Sequence, residues 1–300
     1  MRGAENAAVI VNSANENIPA AGRFALSVDV EDYFQVWAFS GAIKRSSWDG
    51  FAPRAGENTR RLLDIFDAHG ARATFFVLGW IAERDPALMR AITARGHEIA
   101  SHGYDHVKVF DQTADEFRAD IIKAKRIIED AAGAPVRGYR APGFSIDART
   151  PFAHRILGEA GYQYSSSSHP ISHDHYGDAS GPRGVHVIDG LIEAPVATCA
   201  WRGRRFSCAG GGWFRAAPYP LFRRMLKAGA SSITGPAIFY LHPWEIDPGQ
   251  PRIAAAPLKS QWRHYLNIAQ TQAKLTRLLS DFSWSRIDDC LAPDNWRAAA

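Results

Sequence analysis

The sequence contains little cysteine, no concentrated positive charge and no long apolar run. Its three cysteines are an odd number without zinc-finger spacing, so we expect neither a disulfide framework nor a cysteine-based zinc site. No stretch approaches the roughly 18 consecutive apolar residues of a membrane-spanning helix, so no membrane span is expected. The net charge of +4 is dispersed along the chain, whereas nucleic-acid binding needs a basic patch, so no nucleic-acid partner is expected.

The amino-terminal segment also lacks the features of a secretory signal. Residues 1–22 are rich in alanine and asparagine, and no apolar core of roughly 7–15 residues follows a basic start. We therefore expect a cytoplasmic protein with a disordered tail over residues 1–22. No repeat or linker divides residues 23–290, which are predicted to form a single domain, and residues 291–300 are predicted to be a second tail.

Hydrophobic residues make up 46% of the chain, which is enough for a sizeable core. Apolar runs of strand length alternate with amphipathic segments of helical spacing, and this alternation predicts βα units with a parallel sheet or barrel. The predicted strands are Phe24–Val30, Ala73–Leu78, His97–His102, a fourth strand that ends at residues 138–142, and Ala237–His242. The predicted helices are Asn58–His69, Pro86–Arg95, Thr113–Ala132 and Trp262–Leu279, and residues 210–213 are predicted to be a flexible turn.

Acidic and histidine residues follow two of the predicted strands. Asp29, Glu31 and Asp32 end the first strand, and the alternation of a strand puts Asp29 and Glu31 on the same face. His102 and His106 are four residues apart, so they can bind one metal ion if the segment forms a helical turn. Taken singly, these patterns are equally typical of an exposed acidic turn and of two ordinary histidines.

Two further strand ends carry an arginine and a histidine. Arg140, two residues before Pro142, can hold a carboxylate by bidentate hydrogen bonds. His242 lies among aromatic residues, where it could transfer a proton near neutral pH. Taken alone, Arg140 could be an ordinary surface arginine, and His242 could be an ordinary core histidine. Their shared position at strand ends, where barrel active sites form, favours one catalytic site.

The order of these motifs resembles that of the polysaccharide deacetylases, carbohydrate esterase family 4, which share the NodB homology domain. The motifs are an acid pair, H-x-x-x-H, R-x-P and L-x-H, and the resemblance covers about residues 24–290. The segments at 210–215 and 242–252 are similar to a subgroup associated with exopolysaccharide and exosortase gene clusters, whose extra C-terminal region corresponds to about residues 251–290. The resemblance implies an α/β fold, a distorted (β/α) barrel with seven parallel strands.

The resemblance also implies roles for the catalytic residues. Asp29 would be the general base, Arg140 would orient it, and His242 would be the general acid. His102 and His106 would bind one divalent metal ion, zinc by ligand type, with cobalt, nickel or iron as substitutes.

The third metal ligand stays open, because Val30 occupies the place of the family's second aspartate. Glu31 is favoured because it lies on the same face of the strand as Asp29. Asp32 is favoured because the family's ligand is an aspartate. Pro142, Trp213 and Trp244 are the expected substrate contacts, with Trp213 beside the acetyl group.

The implied function is metal-dependent removal of N-acetyl groups from N-acetylhexosamine units of an exopolysaccharide or its precursor. The partner would be an N-acetylated polysaccharide or oligosaccharide, with association to exopolysaccharide synthesis machinery. One alternative is a cyclic-amide (allantoinase-like) hydrolase of the same superfamily. The other is a catalytically silent carbohydrate-binding protein.

Overall fold

The computed structural model describes residues 23–172 and 177–292. The first predicted tail, residues 1–22, lies outside the described residues, as do residues 293–300 of the second; Leu291, where that second tail was predicted to begin, is buried. The strands are β1 (Phe24–Val30), β2 (Ala73–Val77), β3 (Glu98–Ser101), β4 (Gly138–Tyr139), β5 (Tyr164–Ser165), β6 (His186–Ile188), β7 (Leu191–Glu193), β8 (Thr198–Trp201), β9 (Arg204–Ser207) and β10 (Ala237–Leu241).

Eight of these strands form one sheet in the order β10-β1-β2-β3-β4-β5-β7-β6, and β8 and β9 form a separate hairpin. Seven strands of the large sheet run parallel, and β6 pairs antiparallel with β7 at the edge. All seven residues of β1 are buried, as expected for a strand of a parallel sheet covered on both faces. The predicted α/β class with seven parallel strands is confirmed.

The chain after β7 connects the two ends of the row of parallel strands. The Ala194 amide donates to the Ser165 carbonyl at 2.8 Å, and the Ala197 amide donates to the Ile238 carbonyl of β10 at 3.0 Å. The sheet therefore curls into a barrel whose last gap is bridged by irregular backbone.

The helices cover the outside of this sheet and are joined to its strands by loops. They are α1 (Ala55–Ala68), α2 (Gly79–Arg84), α3 (Pro86–Ala94), α4 (Ala114–Ala132), α5 (Ala153–Glu159), α6 (Gly211–Ala216), α7 (Tyr219–Ala230), α8 (Leu258–Tyr265), α9 (Ile268–Asp281) and α10 (Ile287–Cys290). Short 3-10 turns occupy Trp37–Phe39, Arg45–Gly50, Val109–Asp111, Pro142–Phe144 and Pro243–Ile246. Within the described ranges, no helix combines the length and the apolar character needed to cross a bilayer.

Two predicted elements are wrong. The predicted turn at 210–213 is the start of α6, and Gly211 is needed there for space, because an added Cβ would lie 2.0 Å from the Glu245 carboxylate. The predicted helix Trp262–Leu279 is two helices, α8 and α9, separated at Asn267, whose φ is +55°. Asparagine tolerates this left-handed backbone better than most residues, so the helix is broken at Asn267. The apolar residues keep their helical spacing on both sides of the break, which is why the sequence predicted a single helix.

Candidate metal and catalytic site

Most of the predicted site residues line one cavity at the carboxyl ends of the parallel strands. The cavity measures about 500 Å³, a size typical of small-molecule sites. Its floor includes Asp29, Glu31, His102 and His106, and His242 contributes to its wall. Loops after β1, β3 and β10 therefore meet in one place, as the parallel sheet requires.

Asp29 and Arg140 form a buried ion pair at this floor. The Arg140 Nη1 lies 2.6 Å from Asp29 Oδ1 and also donates to the Ser27 hydroxyl at 2.9 Å. The Ser166 carbonyl accepts from Arg140 Nε at 3.0 Å, so the guanidinium is fixed on more than one side. The second carboxylate oxygen, Asp29 Oδ2, lies 4.0 Å from His242 Nε2. Asp29 is thus held through Oδ1 by Arg140, and its Oδ2 faces His242.

His102 and His106 are brought together by a loop and not by the helical turn that their spacing suggested. Gly103 and His106 both have positive φ, +74° and +58°, and the two imidazole centroids are 5.2 Å apart. His102 Nδ1 lies 2.8 Å from the Arg140 carbonyl, which makes Nδ1 the donor and leaves Nε2 with a free lone pair. Burial lowers the pKa of His102 to about 4, so this imidazole is neutral and able to bind a metal at neutral pH.

Glu31 completes a three-residue cluster with these histidines. One ligand atom from each of Glu31, His102 and His106 lies within 4.8 Å of the others. Glu31 Oε2 is 2.8 Å from His106 Nε2, yet it is buried and accepts no well-oriented hydrogen bond from the described residues. An orphaned carboxylate oxygen facing imidazole nitrogens fits a divalent cation. Burial alone would raise the pKa of Glu31, but His106 and His242 hold it well below its usual range.

The structure does not bring Asp32 into this cluster. Asp32 Oδ1 accepts from the Tyr33 amide at 2.9 Å, and Oδ2 accepts from the amides of Arg54 and Ala55 at 2.7 and 2.8 Å. The Arg54 and Ala55 amides belong to the start of α1, where the first N–H groups have no partner within the helix. Asp32 therefore holds α1 against the loop after β1, and Glu31 is the acid that faces the histidines.

His242 is held by a residue that the sequence analysis missed. Its Nδ1 lies 2.7 Å from Glu245 Oε1, which also accepts from the His242 amide at 3.1 Å. Burial alone would lower the pKa of His242, but the carboxylates of Glu31, Glu245 and Asp29 raise it to about 9. His242 is thus protonated at neutral pH. The H-P-W-E spacing, an N-cap residue with Glu three positions later, is the signal that could have identified Glu245.

Arg215 is a second unpredicted residue of the site. Its Nε donates to Glu245 Oε2 at 2.8 Å, and its Nη1 donates to the carbonyls of His264 and Leu266, both at 2.7 Å. The side chain is 3% exposed and lies at the break between α8 and α9. Arg215 therefore ties the C-terminal region to the carboxylate that holds His242.

The three predicted substrate contacts differ in their positions. Trp213 is 39% exposed and lines the cavity. Trp244 also lines it, but its ring is stacked between His242 and His264, and its Nε1 donates to Glu31 at 3.2 Å. Pro142 is buried and is not among the residues that line the cavity, because the turn it begins places Gly143 and Phe144 there instead.

Two family models match consecutive parts of the chain. Residues 48–165 match the family described as polysaccharide deacetylase. Residues 166–292 match a family described only as a domain of unknown function, DUF3473. The second match includes His242, Glu245 and Arg215, so the unpredicted residues lie outside the deacetylase model.

Curated relatives match part of the chain. A peptidoglycan-N-acetylglucosamine deacetylase of Bacillus cereus is 37% identical over 86 residues, 29% of this chain and 31% of that protein. A chitooligosaccharide deacetylase of Azorhizobium caulinodans is 34% identical over 85 residues, 28% of this chain and 40% of that protein. The chain thus spans less than half the length of either relative.

A solved structure shares the fold over almost the whole length. A crystal structure described as a candidate polysaccharide deacetylase from Mycobacterium smegmatis has a TM-score of 0.61 at 21% identity, covering 96% of this chain and 95% of that one. At this identity the likeness concerns the fold alone. Residues 48–165 match the polysaccharide deacetylase domain of carbohydrate esterase family 4, to which these relatives are similar.

Proposed function

We propose that this protein hydrolyses the N-acetyl group of N-acetylhexosamine units in a glycan, with the help of one divalent cation. The observation that carries the proposal is the convergence of three groups on one cavity: the Asp29–Arg140 pair, the Glu31–His102–His106 cluster and His242. An acetamide is a poor electrophile, so its hydrolysis requires activation of the carbonyl, a proton acceptor and a proton donor.

The cation would be held by Glu31, His102 and His106. Two imidazoles and one carboxylate are a ligand set typical of catalytic zinc, which keeps further positions open. When bound, such a cation supplies Lewis-acid polarisation of the acetamide carbonyl. The neutral state of His102 and the free oxygen of Glu31 support this assignment. Zinc is the first choice by donor type, and cobalt, nickel or iron are substitutes.

Asp29 and His242 perform the proton transfers in this proposal. Asp29, held by Arg140, accepts a proton from water as the water oxygen bonds to the acetyl carbon. The carbon–nitrogen bond then breaks, and the nitrogen takes a proton from His242 Nε2. The products are acetate and the free amine of the sugar. Glu245 holds Nδ1 of His242, so Nε2 is the nitrogen that points toward Asp29 and Glu31.

The biological setting is part of the same proposal. We propose a glycan of the exopolysaccharide type or its precursor, a cytoplasmic site of action and association with the synthesis machinery. The support is the resemblance of the motifs at 210–215 and 242–252 to the exosortase-associated subgroup.

The experiment is acetate release from N-acetylated oligosaccharides, measured with the purified protein, after chelation and after zinc is added back. We expect chelation to abolish the release, zinc to restore it, and Asp29→Asn to reduce it by roughly 10²–10⁴-fold. Full activity in the presence of chelator, or in Asp29→Asn, would contradict the mechanism. Release from allantoin instead of the glycan would favour the cyclic-amide hydrolase, and glycan binding without any release would favour a silent binding protein.

A further inference from the structure

The cavity extends beyond the residues that take part in the proposed reaction. Its outer part is lined by Trp37, Lys108, Trp213, Trp262 and Arg263, which we call the outer subsite. Trp262 and Arg263 lie on α8, in the C-terminal region beyond the family's deacetylase model. The outer subsite therefore joins the first half of the chain to a region that has no assigned role.

Lys108 is the most unusual residue of the outer subsite. It is 6% exposed, and its ammonium lies 3.4 Å from the centroid of the Trp37 ring and 5.0 Å from that of Phe110. The parts of the chain that the structure describes place no carboxylate within ion-pairing distance of this ammonium. Aromatic faces offset only part of the cost of burying a cation, so an anion in the cavity would stabilise Lys108 further.

The charges of the cavity are divided between its floor and its outer part. The acidic lining residues are Asp29, Glu31 and Glu245, and each has a basic neighbour at the floor. Among the described residues that line the outer part there is no carboxylate, and this part carries Lys108 and Arg263. The outer subsite therefore carries the positive charge of Lys108, whereas the acidic residues of the cavity lie at its floor.

The tryptophans of the outer subsite offer flat apolar surface to the cavity. Trp262 is 64% exposed and Trp213 is 39% exposed, although both line the cavity. Helix α8 is fixed in place, since His264 packs on Phe39 with centroids 4.6 Å apart and Arg215 binds the His264 carbonyl. An exposed indole on a fixed helix is suited to stacking on a sugar ring, which has an apolar face.

We propose that the outer subsite binds a sugar unit that carries a carboxylate, a uronic acid, next to the N-acetylated unit. Lys108 pairs with the carboxylate, and Trp262 stacks on the ring. This inference rests on the proposed function and narrows its substrate to an acidic N-acetylated glycan.

The test compares two oligosaccharides of equal length: one contains only N-acetylglucosamine, and the other alternates N-acetylglucosamine with glucuronic acid. Binding is measured by calorimetry with Asp29→Asn protein, and acetate release with the unchanged catalytic residues. We expect the acidic oligosaccharide to bind at least about tenfold more tightly at low salt, with the difference shrinking as salt screens the charges.

Two variants with matched controls locate the effect. Lys108→Met should remove the preference for the acidic oligosaccharide by raising its KM, whereas Lys227→Met, at an exposed lysine on α7, should not. Trp262→Ala should weaken binding of both oligosaccharides, whereas Trp201→Ala, which is 63% exposed and does not line the cavity, should not.

The outcomes separate this inference from the proposed function. Equal binding of both oligosaccharides, or no binding of either, overturns the inference, and so does a preference that survives Lys108→Met. Acetate release without a preference supports the proposed function alone. Tighter binding of the acidic oligosaccharide without acetate release supports the subsite and contradicts the proposed function.

Discussion

Arg215 and Glu245 form a buried ion pair, with Arg215 Nε 2.8 Å from Glu245 Oε2, and the other oxygen of Glu245 holds His242. The carboxylate is fully buried and the arginine is 3% exposed. Arg215 also binds the carbonyls of His264 and Leu266 in the C-terminal region. The position of His242 therefore depends on that region as well. Removal of either partner leaves a buried charge without its counterion, which is strongly destabilising.

The first prediction concerns this pair. Glu245→Gln keeps the size of the side chain but removes the charge that orients His242, so we expect kcat to fall by roughly 10²-fold with little change in KM. The measurement is steady-state acetate release from an N-acetylated oligosaccharide. Glu57→Gln, the same change at an exposed residue of α1, is the control and should leave kcat unchanged. An unchanged kcat in Glu245→Gln would show that His242 does not need this carboxylate.

The second prediction separates Glu31 from Asp32. Glu31→Gln should weaken zinc binding by more than about 100-fold, because even outer-shell partners of a metal contribute about 10–100-fold. Asp32→Ala should leave zinc binding nearly unchanged and lower the free energy of unfolding by about 2 kcal/mol, because three backbone N–H groups lose their acceptor. Zinc titration calorimetry and urea unfolding measure the two quantities. The reverse pattern would make Asp32 the ligand.

The third prediction uses the metal as a stabilising ligand. Zinc at about 100 times its Kd should stabilise the folded chain by about 2.7 kcal/mol and raise its Tm accordingly. His106→Ala should abolish this increase, since it removes one of three clustered donors. His69→Ala, at a histidine that follows α1 and whose Nδ1 lies 2.8 Å from the Ile65 carbonyl, should keep it. A zinc-dependent Tm in His106→Ala would place the metal elsewhere.

The fourth prediction concerns pH and stability at the opposite end of the barrel. Burial and the nearby Asp288 raise the pKa of Glu98 to about 8, from an ordinary value of 4.5. The folded chain therefore keeps a proton that the unfolded chain releases, so stability falls as pH rises between these two values.

Glu98→Gln removes this titration while preserving the shape of the side chain. We expect its free energy of unfolding, relative to the unchanged chain, to increase by on the order of 2 kcal/mol between pH 5 and pH 8.5. Urea unfolding at the two pH values measures the difference, and Glu57→Gln should show none. A constant difference across this range would mean that Glu98 is ionised in the folded chain.

The parts of the site that could be predicted are those fixed by local pattern. The strand alternation placed Asp29 and Glu31 on one face, and the parallel sheet brought the strand ends together. The choice between Glu31 and Asp32 could not be made, because the amides that Asp32 accepts come from Arg54 and Ala55. That contact depends on the path of the intervening loop.

The unpredicted parts depend on backbone conformations and long-range contacts that residue spacing does not encode. His102 and His106 meet through positive φ angles at Gly103 and His106, so the helical turn suggested by their spacing does not form. Arg215 binds backbone carbonyls at the break between α8 and α9, and those carbonyls are available because the helix is interrupted at Asn267.

The position of β10 beside β1 also sets an order of events during synthesis of the chain. Strand β1 lies between β2 and β10, so one of its edges stays unpaired until β10 has emerged from the ribosome. The proposed metal ligands are translated early, and the proposed proton donor, His242, follows β10 directly. A nascent chain can therefore gather its proposed metal ligands long before it contains the proposed proton donor, and activity should be gained only after β10 and His242 have been translated.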